Sequence, residues 1–124
     1  MIRFITLVVF VSILWSCGLK NTFQELTKIN DGLKITFQHA DINSEKHFGT
    51  DSGDNYFSVL FYNYEISTQT HSQLQELADS VLYELITKHP SLKKAESIEV
   101  SFTDDSDGED VKGIVRFKFD HSSF

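Results

Sequence analysis

The chain has 124 residues, of which 40% are hydrophobic and 23% charged, and its formal net charge is −7. This composition is globular rather than disordered, and its acidic balance lacks the basic patch that a nucleic-acid partner requires. The single cysteine excludes an intrachain disulfide, so the fold must rest on its apolar core.

The chain opens with Arg3 followed by an apolar run from Phe4 to Trp15, broken by Thr6 and Ser12. A charged start and an apolar middle are what an export signal needs. A membrane-spanning helix needs about 20 apolar residues, more than this run supplies, which leaves an uncleaved anchor as the weaker alternative. A plain secretory signal wants small residues at the last and third-last positions before the cut, and Leu14 is too large for the latter. The segment Leu14-Trp15-Ser16-Cys17 instead resembles the signal of bacterial lipoproteins: Leu14, Ser16 and Cys17 match the pattern, and Trp15 is bulkier than usual.

That resemblance implies cleavage before Cys17 and acylation of Cys17 by diacylglycerol and a further chain such as palmitate, a membrane partner reached through lipid alone. Each buried methylene contributes about 0.8 kcal/mol, so several chains anchor a protein durably. Gly18 stands where many lipoproteins kept on the inner membrane have Asp. The expected address is therefore the outer membrane, and Gly18-Leu19-Lys20-Asn21 favours its periplasmic side. The first sixteen residues hold one basic residue and no acidic one. Their loss makes the remainder one unit more negative, which argues against a second, electrostatic grip on anionic lipid. The expected organisation is a signal over 1–16, a lipid-anchored tether over 17–31 and one domain over 32–124.

In the tether Phe23, Leu26 and Ile29 recur every three residues, which permits a short helix. Were it flexible, it would reach about 20 Å on average. Leu33, Ile35 and Phe37 alternate with Lys34, Thr36 and Gln38, the period of a half-buried first strand. Polar residues 41–55, with Gly49 and Gly53, read as a long hairpin loop. A second strand is expected from Tyr56 to Tyr64. A helix begins near Ser72, with Gln75 closing a capping box, and carries Leu74, Leu77, Ala78, Val81, Leu82, Leu85 and Ile86 on one side. It ends near Lys88 because Pro90 cannot continue it. Ile98, Val100 and Phe102 mark a third strand, and Val115, Phe117 and Phe119 a fourth.

The expected fold class is α+β: a four-stranded sheet in chain order β-β-α-β-β with one main helix on one face. A helix that carries the chain back across the sheet makes the second and third strands parallel and sends the two hairpin loops to opposite ends. This layout resembles small lipoproteins of the Bacteroidota, which mostly carry no assigned activity, so the resemblance implies a fold and little more.

The string Asp104-Asp105-Ser106-Asp107-Gly108-Glu109-Asp110 invites a calcium reading. Placing Gly108 sixth in a calcium loop puts Thr103 first and Ile114 twelfth, where Asp and a bidentate Glu are needed. A charged hairpin tip explains the string better, and Asp104, Asp105, Asp107 and Asp110 stand as weak metal candidates for an alternative reading as a lipid-anchored enzyme or cation-binding domain. The five histidines show no metal-ligand spacing, no Gly-x-Ser-x-Gly turn is present, and nothing calls for a cofactor. Numerous Phe residues point to a filled interior rather than an apolar ligand cavity.

One helix leaves the other sheet face uncovered, with Lys34, Thr36, Gln38, Tyr56, Leu60, Tyr62, Tyr64, Glu99, Arg116 and Lys118 on it. Tyrosines beside an arginine are frequent at protein interfaces. Tyr56, Leu60, Tyr62, Tyr64 and Arg116 are therefore the candidate contacts for an envelope protein partner in a non-catalytic binding domain. The alternative is that Phe23, Leu26 and Ile29 fold over that face.

Overall fold

A computed structural model describes residues 22–106 and 113–124. Helix α1 occupies 22–37. It is followed by strands β1 (Ile42–His47) and β2 (Tyr56–Phe61), helix α2 (His71–Lys88), the 3-10 turn Pro90–Lys94, strands β3 (Ser97–Thr103) and β4 (Ile114–Asp120), and a last 3-10 turn, His121–Ser123. The class is α+β, with two helices on one four-stranded sheet and the order α-β-β-α-β-β.

The first strand is not where the alternation of residues 33–39 placed it. Residues 33–37 belong to α1 and 38–39 to its closure; in the helix Leu33 is buried while Ile35 is 78% exposed, as helical geometry demands of residues two apart. Leu26, Ile29, Leu33 and Phe37 form the apolar stripe that packs on the core. Residues 22–31, expected within the tether, are the first part of this helix, and the 31/32 boundary falls inside it. The chain leaves α1 through Gln38 at φ 51, with the His39 N–H donating to the Lys34 carbonyl at 3.2 Å, a Schellman closure.

The true first strand lies in the stretch read as a loop. Its inward positions are Ile42, Ser44 and Lys46, only one of them apolar, and α1 satisfies the two polar ones. Ser44 Oγ donates to Asn30 Oδ1 at 2.5 Å, and Lys46 Nζ meets Glu25 Oε2 at 2.7 Å. The β1–β2 connection closes with a turn in which the Asp54 N–H donates to the Asp51 carbonyl at 3.2 Å. Gly53, at φ 89, takes the left-handed position of that turn.

The sheet order is β1-β2-β3-β4. The outer pairs are antiparallel and β2 runs parallel to β3, with Val59 opposite Val100. The hairpin 48–55 and the loop after Thr103 thus sit at opposite ends of the sheet, as the crossover argument requires. Helix α2 is capped two residues before Ser72, at Thr70: the Thr70 side chain accepts from the Gln73 N–H at 3.1 Å and Gln73 Oε1 accepts from the Thr70 N–H at 2.9 Å. Both T-x-x-Q and S-x-x-Q fit the capping box in this stretch, and the earlier one is used. The core lies between the helices and the inner sheet face, where Phe57, Phe61 and Phe102 are essentially inaccessible, each ring contributing roughly 3 kcal/mol by area.

Candidate functional site

Both helices pack on the same face, and Leu26 and Ile29 belong to that core. They do not fold over the opposite face, which none of the described elements covers. Strand pairing sets its rows: His47, Tyr56, Ser97 and Asp120; Glu45, Ser58, Glu99 and Lys118; Asn43, Leu60, Ser101 and Arg116. The two central strands thus present Ser58 and Ser101 outward, side chains too small to fill the surface between their neighbours. The result is a shallow trough of about 730 Å³ with Tyr56, Leu60, Tyr62, Glu99, Arg116 and Ile114 among its walls.

Within it the His47 ring stacks on Tyr56 with centroids 4.1 Å apart and 12° between planes. His47 Nε2 lies 3.2 Å from Ser58 Oγ and 3.3 Å from Glu45 Oε2. Arg116 Nε lies 3.9 Å from Glu99 Oε2, its side chain still 56% exposed. The floor is polar, the walls carry rings, and the charges of both signs are partly neutralised.

Of the expected contacts, Tyr56, Leu60, Tyr62 and Arg116 do meet here, together with Glu99. Tyr64 does not. Asn63 takes φ 51, which turns the chain after β2 and breaks the alternation that would place residues 62 and 64 on one face. Its N–H donates to the Asp105 carbonyl at 2.8 Å and the Tyr64 N–H to the Thr103 carbonyl at 2.9 Å. Tyr64 then packs edge-on to Phe61, centroids 6.1 Å apart, and against Phe102 at 5.5 Å, on the helix side. Lys34, Thr36 and Gln38 belong to α1 and its closure rather than to the sheet. Asn43, Glu45 and His47 complete this face from β1, whose polar sequence carries the signature of a loop.

Cys17, Asp107 and Asp110 lie outside the described residues. Asp104 and Asp105 stand at the Thr103 end of the sheet and Asp51 and Asp54 at the other, so topology separates the two acidic groups. Among the described residues no group of three or more His, Cys, Asp or Glu is placed to hold a metal ion.

The other histidines are held apart from one another. His39 Nε2 lies 2.8 Å from the Tyr62 carbonyl, His71 packs on Phe117, and His121 Nδ1 lies 3.3 Å from the Ala95 carbonyl. His89 caps α2 through its N–H, 2.8 Å from the Leu85 carbonyl, and burial lowers its ring pKa below the ordinary 6.5, partly opposed by Glu25.

Comparison with protein-family models, curated proteins and solved structures returns no match.

Proposed function

We propose that this is a lipid-anchored protein of a bacterial cell envelope, attached through Cys17, whose small α+β domain binds another envelope protein without catalysis. The observation that carries the binding reading is the open trough. One helical layer uses one face of the sheet, and the opposite face gathers Tyr56, Leu60, Tyr62 and Arg116 over a floor of serines. Aromatic rings and an arginine around a depression supply large contact area at low entropic cost, with hydrogen-bond donors to fix orientation. The anchor is supported by the match of Leu14, Ser16 and Cys17 to the lipoprotein signal. Among the described residues no helix is long and apolar enough to cross a membrane.

The double variant Leu60→Ser/Tyr62→Ser tests the binding reading, since both side chains are only half-buried and lie away from the core. Its melting curve should follow that of the parent, while crosslinking in living cells recovers much less of whatever protein the parent captures. Equal recovery from the two would refute the trough as the contact surface.

A further inference from the structure

We infer that the end of the domain carrying Phe23 and Phe48 seats directly on the lipid bilayer, with the end carrying Asp104 and Asp105 turned away from it. This rests on the proposed anchor at Cys17 and adds an orientation and a second, non-covalent contact. The two rings are 74% and 78% exposed, whereas every other phenylalanine among the described residues is at least partly buried.

They occupy one end of the fold. Glu25 of α1 reaches both Lys46 and Ser91, so the start of α1, the β1–β2 hairpin and the turn after α2 lie together. Phe48 and Glu25 line one cleft there. Phe23 continues the Leu26–Ile29 stripe one turn beyond the last core contact.

Chain length brings this end to the membrane. Four residues lie between Cys17 and Thr22, where the described helix begins, and the five steps from one to the other span at most about 18 Å even when fully extended. Because 22–31 is helical, the longer flexible reach expected of the tether does not exist. A cysteine held by acyl chains therefore keeps the start of α1 close to the headgroups, the depth at which amphipathic segments bury their apolar side chains.

Charge selects the same orientation. At the Phe23 end Lys93 and Lys94 stand against Asp51, Asp54, Glu96 and Asp120. Asp41, Glu65, Asp104 and Asp105 lie at the other end, about 25 Å away along α2. An anionic surface repels the second group more than the first.

The test uses the full chain matured in a lipoprotein-processing host and reconstituted in phosphatidylethanolamine/phosphatidylglycerol vesicles with brominated acyl chains. Trp15 is the only tryptophan and leaves with the signal, so Phe23→Trp, Phe48→Trp and, at the opposite end, Ile114→Trp each give a single fluorophore. The first two should shift to the blue and be quenched by the brominated lipid, and the third should not. Membrane-bound protein with all three unquenched, or all three quenched alike, would overturn the seating and leave the anchor standing. Protein that stays soluble with a free Cys17 thiol would overturn the anchor and the seating with it.

Discussion

Lys46 and Glu25 form an ion pair at 2.7 Å that joins the inward side of edge strand β1 to helix α1. Where a strand would ordinarily bury a third apolar residue, this one buries a lysine stem and hands its ammonium to a carboxylate across the layer. The pair therefore decides which helix face the strand accepts. It also holds the Glu25 carboxyl below the ordinary 4.5, through the Lys46 hydrogen bond, against an upward push from burial.

Because the folded pKa of Glu25 lies below its unfolded value, its contribution is fully present above about pH 4.5. It fades as pH falls through the folded value. Glu25→Gln should make the parent's acid unfolding curve shallower in that window and cost about 1 kcal/mol or less at neutral pH, since the pair is about a third exposed. Urea midpoints measured from pH 7 to pH 3 check this. Parallel curves for the two proteins would count against a stabilising pair.

His89 points the same way at higher pH. Its ring is held below 6.5 chiefly by burial, so folding favours the neutral form. The contribution is complete above pH 6.5 and is lost as pH drops through the lower folded pKa. Proton NMR should show the His89 ring titrating below 6.5, and His89→Gln should remove that part of the stability loss on acidification.

Gln38 is the non-glycine residue whose left-handed backbone closes α1. A left-handed L-residue costs about 1–2 kcal/mol, while glycine's extra chain entropy returns roughly half of that. Gln38→Gly should therefore stabilise the fold by up to about 1 kcal/mol, raising Tm by several degrees in a domain this small. Asn63→Gly should gain nothing, because asparagine tolerates that region and Asn63 Nδ2 also donates to Asp41 Oδ2 at 3.1 Å. Thermal melts of the pair distinguish backbone relief from general tolerance at these sites.

How much of this could be read from residue order follows from where burial and periodicity agree. Helix α2 and strands β2, β3 and β4 bury Leu74, Phe57, Val100 and Phe117 at the spacing their apolar residues display. In α1, Leu33, Ile35 and Phe37 mimic a strand, and only the longer stripe from Leu26 to Phe37 betrays the helix. Strand β1 gives almost no signal, since Ser44 and Lys46 are inward only because Asn30 and Glu25 wait for them across the layer. Tyr64 fails for a comparable reason: the flip at Asn63 is a backbone event that side-chain alternation does not encode. The open trough depends on both, which is why its tyrosine and arginine rim was legible and its β1 side was not.

Thr103 ties together the two described ends of the β3–β4 connection. The side chain is fully buried. Its Oγ1 donates to the Gly113 carbonyl at 2.7 Å and accepts from the Asp105 N–H at 3.2 Å, joining both ends of the hairpin loop at the last rung of β3. Thr103→Val keeps the shape and removes both bonds, at a net cost of about 1 kcal/mol for each, since the Asp105 and Gly113 backbone groups are within reach of water. Thr103→Ser retains the hydroxyl and loses only a methyl, about 1 kcal/mol. Hydrogen exchange should show the Asp105 amide losing protection in the valine variant and keeping most of it in the serine variant. If instead the valine variant keeps protection and the serine variant loses it, packing of the methyl holds the loop, and the hydroxyl's two bonds do not.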